Sequence, residues 1–192
     1  MRKIVLMMSV SLDGYFEGPG RDLGWHCVDD ELRRHCNAYL ATAGGFLDGR
    51  VTHELMAAHW SAAAADPDAP APVAEFAAIW RAAPKYVFSR TLEHVAPGTT
   101  LLREVDPDLI RALKSRPGGD LCLGGGDLAA TFFRQGLVDE LRLYVHPVLL
   151  GAGTPLLPRA GARVPLRLVE THPFGNGVVL LRHQVLTGGG TE

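Results

Sequence analysis

The chain has 192 residues, 47% hydrophobic and 21% charged, enough apolar surface for one core of ordinary size. That balance excludes wholesale disorder and a fibrous fold. Nineteen Lys and Arg against 21 Asp and Glu leave a net charge of -2 and no basic stripe, which argues against a nucleic-acid partner.

The opening MRKIVLMMSVSLDG has a basic tip and a short apolar run but no small-x-small cleavage pattern. It reads as a first strand, Lys3 to Val10, buried on both faces. No apolar run approaches the roughly 18 residues of a spanning helix, so no membrane partner is expected. Asp13 to Trp25, rich in Gly, Pro and Asp, reads as a long loop. Asp29 is an N-cap for a helix through about Ala41, with Leu32, Cys36, Tyr39 and Leu40 at helical spacing. Ala43 to Asp48 is a short second strand, and Gly49-Arg50 turns the chain into a helix from about Val51 to Trp60. Ala62 to Pro72 reads as a proline-rich surface excursion. A helix from near Val73 stops before Pro84.

Tyr86-Val87-Phe88 is a strand, and Thr100 to Glu104 is another. Asp106-Pro107 opens a helix to about Ser115. Asp120 to Leu123 is a strand, Gly124-Gly125-Gly126 a glycine turn, and Asp127 to Gln135 a helix closed by Gly136. Leu141 to Val145 is a strand, and Leu166 to Glu170 and Gly177 to Val185 are extended with no helix between them. The expected fold is α/β: a mostly parallel mixed central sheet, helices on both faces, and a C-terminal antiparallel hairpin. One domain spans residues 1–186, and 187–192 is expected to be a flexible tail.

Three strand-to-helix or strand-to-turn junctions suit phosphate. Gly124, Gly125, Gly126 and Asp127 precede a helix whose free N–H groups and positive dipole end attract anions. Gly124-x-Gly126-x-x-Ala129 even matches a dinucleotide fingerprint, although a ligand-free tight turn accounts for it as well. Gly49, Arg50 and Thr52 repeat the arrangement. Ser89, Arg90 and Thr91 set two hydroxyls around a guanidinium. Ligands of such sheets bind at the carboxyl ends of the strands, where all three junctions would lie. His26-Cys27 and His35-Cys36 fit no usual zinc spacing, and His53-Glu54 lacks the second histidine of H-E-x-x-H, so no metal is expected. No G-x-S-x-G is present for a serine nucleophile. The three cysteines, Cys27, Cys36 and Cys122, form no disulfide framework and favour a reducing, cytoplasmic setting.

Taken in order, these segments resemble the dihydrofolate reductase superfamily. Within it they are similar to stand-alone relatives of the reductase domain of bifunctional riboflavin-biosynthesis deaminase-reductases. The residues that carry the resemblance are Ser11-Leu12-Asp13-Gly14, Gly49-Arg50-x-Thr52, Val87 to Leu92, Gly124-Gly125-Gly126, and His146 to Gly153. The resemblance implies a dihydrofolate-reductase-like three-layer fold and an NADPH-dependent reductase. Arg50 and Thr52 would hold the diphosphate with Gly125 and Gly126 opposite, and Ser89, Arg90 and Thr91 would surround the 2′-phosphate. The loop after Asp13 would cover the nicotinamide.

On the substrate side the resemblance implies Asp13, Trp25 and Asp30 as contacts; Trp25 and Asp30 keep the five-residue tryptophan-to-acid spacing of dihydrofolate reductases, which implies Asp30 as a catalytic acid, and helix capping explains it equally well. Leu123 stands where riboflavin-pathway reductases tend to carry an acid, His53 where relatives usually have an aromatic residue, and with no H-x-E and P-C-x-x-C motif in these residues no fused deaminase is expected. The implied acceptor is a pterin- or aminopyrimidine-like heterocycle or an imine. A true riboflavin-pathway reductase acting as a separate chain, and a non-catalytic nucleotide-binding or sensing module, remain open beside it. The apolar segment from Tyr144 to Leu157 reads as core or as a surface that meets a second copy, and the resemblance implies a homodimer through this end of the sheet.

Overall fold

The computed structural model describes residues 1–157 and 163–186; the expected tail at 187–192 lies outside the described residues. In chain order the elements are β1 (Ile4–Ser11), β2 (Tyr15–Glu17), a 3-10 turn (Pro19–Arg21), α1 (Asp30–Leu40), β3 (Gly45–Gly49), α2 (Arg50–Ala65) and α3 (Ala71–Ala82). They continue with β4 (Lys85–Phe88), β5 (Thr99–Leu102), α4 (Pro107–Ser115), β6 (Leu121–Gly124), α5 (Gly126–Arg134) and β7 (Glu140–His146). β8 (Thr154–Pro155), β9 (Leu166–Pro173) and β10 (Val179–Val185) complete the chain.

Eight strands form one sheet in the order β5-β4-β3-β6-β1-β7-β10-β9. The first six run parallel, β10 runs antiparallel to β7, and β9 returns antiparallel to β10. The expected mixed sheet with a C-terminal hairpin is therefore present. Alternation along the strands sorts side chains to two faces. Ile4, Leu6, Leu47, Leu121 and Leu123 pack against Ile110 and Leu113 of α4 and Phe132 of α5. Phe46 and Cys122, one residue out of phase, meet Leu40 of α1, Trp60 of α2, and Phe76 and Trp80 of α3. Side chains as fully enclosed as Leu47 and Phe132, both 0% exposed, each contribute roughly 1.5–3 kcal/mol.

Three boundaries differ from the sequence reading. α2 runs on through Ala62–Ala65 and α3 already begins at Ala71, so the surface excursion shrinks to a short turn. Alanine is the strongest helix former, and the chain breaks only at Asp66. The loop after Asp13 contains β2, which pairs with β8. β9 extends past Glu170 to Pro173 because β10 offers a partner along that length.

The hairpin is clamped to the sheet by charge. Glu140, 3% exposed, accepts from Arg182 Nε at 2.6 Å and Nη2 at 3.2 Å, and from Lys3 Nζ at 3.1 Å. Burial alone would raise the Glu140 carboxyl, but the bonds from Arg182 and Lys3 outweigh it and hold it below its ordinary value. Removing Arg182 strands a buried carboxylate, so Arg182→Met should lower the unfolding free energy by about 3 kcal/mol. Arg34→Met, which breaks only the exposed Arg34–Asp30 pair, should cost less than about 1 kcal/mol. Urea titration of both variants measures the contrast, and equal losses would show that the clamp carries no special share.

Candidate functional site

The six parallel strands all end on one edge of the sheet, at Leu102, Phe88, Gly49, Gly124, Ser11 and His146. A cleft of about 620 Å³ opens along that edge. From the β4 end to the β7 end it faces four interstrand spacings of about 4.8 Å each, roughly 19 Å in all. Its walls bring together Gly49, Arg50 and Thr52 from the β3–α2 junction, Arg90 after β4, and Gly125, Gly126 and Asp127 from the β6–α5 junction. Met7, Phe16, Leu23, His26, Leu55 and Met56 also line it.

The two helix starts in this cleft share a feature. α2 is preceded by Gly49 and α5 by Gly125, and neither has a side-chain cap. α1 and α4 are instead capped by Asp29 and Asp106, whose carboxylates accept the backbone N–H groups of their first turns; α3 follows Pro70. The first N–H groups of α2 and α5 are therefore left to an incoming acceptor, with the positive ends of both dipoles behind them. Gly125 has φ +87°, and a Cβ there would sit 2.8 Å from Thr52 Oγ1. Only glycine meets both conditions, which lets the turn approach Thr52 closely. The Gly125 N–H reaches just the sulfur of Met8 at 3.4 Å, a weak acceptor. These features fit a diphosphate.

The other sequence candidates lie differently. Arg50 opens α2, half-exposed, with its guanidinium on Glu54 at 2.9 Å. Ser89 is buried, and its Oγ accepts the N–H groups of Thr91 and Leu92, so the hydroxyl shapes the turn that presents exposed Arg90. Thr91 is exposed, and neither it nor Gly124 belongs to the cleft wall. Gly124 packs over Asp48 instead, with its Cβ position 2.7 Å from Asp48 Oδ1.

Three substrate-side expectations need correction. Asp30 is no buried acid: its side chain is 60% exposed, pairs with Arg34 at 3.0 Å, and lies outside the cleft wall. Asp13 binds the chain itself, accepting from Ser11 Oγ at 2.6 Å and from the N–H groups of Leu150 and Gly151. Those bonds, Ser11 first, hold its carboxyl below the usual value and join the end of β1 to the loop after β7. Trp25 donates Nε1–H to Asp22 O and stands behind His26 rather than in the wall.

Two groups were not singled out from the sequence as site residues. His146 is fully buried at the end of β7; its Nδ1 accepts the Cys27 N–H at 3.0 Å, and its ring stacks on His26 with centroids 5.2 Å apart. Burial, helped by His26, pushes it down to about 4, so it is neutral across the physiological range. Asp48, 4% exposed, lies under Gly124 with Oδ2 unpaired among the described residues. Burial pushes its carboxyl up to about 7 against the opposing pull of Lys85. One acidic residue in the apolar strand GFLDG was the available signal.

Because the folded carboxyl binds its proton more tightly than the unfolded one, Asp48 contributes stability that is full below pH 3.8 and lost as pH rises through about 7. Asp48→Asn should therefore gain on the native protein between pH 5 and pH 8, by on the order of 2 kcal/mol. Denaturant titrations at both pH values check this, and a pH-independent difference would refute a raised carboxyl.

Comparison with known proteins places this geometry. Residues 2–180 match the family model described as RibD C-terminal domain. The Bacillus subtilis (strain 168) protein YyaP, itself uncharacterized, is 34% identical over 179 residues, covering 93% of this chain and 92% of its own. A "putative riboflavin biosynthesis protein" from Shewanella sp. PV-4 superposes with a TM-score of 0.73 at 22% identity, over 97% of this chain and 99% of that one. Enterococcus faecalis dihydrofolate reductase, solved with NADP(H) and RAB-propyl, superposes at 0.63 and 16% identity, over 95% and 96% of the two chains. The fold is thus dihydrofolate-reductase-like.

Proposed function

The chain belongs to the RibD C-terminal domain family, and on that premise we propose that it is an NADPH-dependent reductase acting on a small heterocycle, pterin- or aminopyrimidine-like, or on an imine. The observation that carries this reading is the pair of uncapped, glycine-preceded helix starts facing one cleft whose wall also holds Arg90 and a set of apolar side chains. The dinucleotide of the dihydrofolate reductase relative supports the same cofactor.

The first N–H groups of α2 and α5, with Thr52, would take the diphosphate, and Gly125 lets the backbone close on it. Arg90, past the end of β4, would meet the adenosine 2′-phosphate, with Ser89 holding its turn and Thr91 beside it. Met7, Phe16, Leu23, Leu55 and Met56 would exclude water at the other end, around the dihydronicotinamide and the acceptor. When bound, the cofactor supplies a hydride; the chain supplies positioning at near-attack distance, about 3–3.5 Å. Three free thiols suit a reducing, cytoplasmic setting.

Equilibrium titration of nicotinamide fluorescence tests the reading directly. The protein should bind NADPH, and Arg90→Ala should weaken NADPH at least about tenfold while changing NADH less than about twofold. No binding by the native protein would remove the reductase reading, and equal losses for both cofactors would free Arg90 from the 2′-phosphate. Binding without oxidation in the presence of pterins, aminopyrimidines or imines would leave the sensing module.

We also propose that the protein is a homodimer through the hairpin edge. β9 is an edge strand exposed along nearly its whole length, with Leu166 42%, Leu168 55% and Val169 46% exposed. Such a row invites pairing with a second copy. Sedimentation equilibrium should give twice the chain mass, falling to the monomer for Leu168→Lys; a monomeric native protein would end this proposal.

A further inference from the structure

Hydride arriving at a C=N carbon must be matched by a proton at the nitrogen, and the cradle described above contains no donor for it. Asp30 is engaged with Arg34 at the surface. The titratable side chains that line the cleft are Glu17, Arg21, His26, Arg50, Arg90 and Asp127. Glu17 is held by Thr154 Oγ1 at 2.7 Å, and the arginines keep their protons at any working pH. Asp127 belongs to the first turn of α5, on the phosphate side. His26 is left, beside the end of β7, across the sheet edge from Arg90.

Its ring is held in place from two sides. Trp25 packs edge-on at 4.2 Å and 78°, and His146 stacks at 5.2 Å and 27°. His146 cannot share a proton load, because a ring nitrogen that accepts the Cys27 N–H has no room for a proton of its own. Of the stacked pair, His26 is the one that can be charged. Its Nε2 is enclosed and has no partner among the described residues, while the residue itself forms part of the cleft wall.

Resting on the reductase reading, we propose that His26 contacts the ring nitrogen of the bound heterocycle and gives it the proton that accompanies hydride transfer. The C=N π bond breaks as a C–H bond forms with the hydride and an N–H bond forms with the His26 proton. The dihydronicotinamide is oxidised by two electrons, the acceptor is reduced by two, and neutral His26 recovers its proton from water at the cleft mouth. The titratable groups around the ring are Asp22 of its own loop, His146 of β7, and Glu17 and Arg21 across the cleft. Burial holds the imidazole below its ordinary value while Asp22 pulls the other way. An imidazole gains charge as pH falls, so proton donation strengthens toward lower pH.

The test uses the whole protein saturated with NADP⁺ and 5,6-diaminouracil as the probe, beside His26→Gln and His26→Leu. In the native protein the imidazole Cε1–H resonance of His26, assigned by its loss in both variants, should move when the probe is added. Probe affinity should rise as pH falls from 8 to 6, drop about tenfold or more in His26→Leu, and recover in part but lose its pH dependence in His26→Gln. NADP⁺ affinity should change less than about twofold in both variants, which also confirms that they fold. An unmoved resonance, equal probe affinity in all three proteins, or no probe binding by the NADP⁺-loaded native protein overturns the assignment of His26 alone. Failure of the native protein to bind NADP⁺ overturns the reductase reading with it.

Discussion

The site depends on a few backbone N–H groups that the fold leaves without partners. A helix start must satisfy its first donors from somewhere, and in α1 and α4 an aspartate does so. At α2 and α5 the residue before the helix is glycine, which has no side chain to return. Both starts face the same cleft because β3 and β6 are adjacent and parallel, with Asp48 opposite Gly124 in register. Two helices leaving neighbouring strand ends thus aim two dipoles at one volume. An aspartate at either cap position would fill the donors and place a negative charge where an anion is meant to sit.

The apolar end of the cleft is built by long-range closure. Asp13 holds the N–H groups of Leu150 and Gly151, and β8 pairs with β2. These contacts carry Phe16 and Glu17 over the cleft and press Phe16 onto the start of α5, where a Cβ on Gly126 would meet its ring at 2.7 Å. The motifs Ser11 to Gly14 and Gly151 to Gly153, far apart in the chain, are the two halves of one clasp. A residue that looks like a ligand contact in sequence is here the knot that holds the wall of the site.

That difference explains which parts were legible in the sequence. Strand–helix alternation, the caps at Asp29 and Asp106 and the glycine turn at 124–126 are local signals, and each appears in the structure at or within a few residues of its expected place. β2 and β8 are too short to carry a periodic pattern, and only a partner about 140 residues away makes them strands. The Trp25-to-Asp30 spacing gave no information on which way the first turn of α1 faces, and there Asp29 caps while Asp30 turns to solvent. His26, read beside Cys27, fits no usual zinc spacing and carries no other local signal. Its relation to His146 exists only because β7 ends next to β1.

The two edges of the sheet treat polar groups in opposite ways. At the edge where the parallel strands begin, most buried charges are matched, Arg142 with its unpaired Nε being an exception among the described residues. Arg2 donates to Gly119 O and Gly44 O, Lys114 meets Asp139, Asp139 also takes the Ile4 N–H, and Glu140 binds Lys3 and Arg182. At the edge where they end, Asp48 Oδ2, His26 Nε2, His146 Nε2 and His53 Nδ1 are buried without partners among the described residues. Other unpaired atoms, such as Tyr39 Oη and Tyr144 Oη, lie by α1 and β7, so the contrast is one of degree. Each unmade bond costs about 1–3 kcal/mol, which a domain of ordinary stability tolerates only if other regions are well satisfied. The matched edge supplies part of the margin for the unpaired atoms at the other. Removing one partner of a matched pair at the edge where the strands begin, such as Arg182 beside Glu140, would therefore weaken the site indirectly, by lowering the stability that lets its polar atoms stay unpaired.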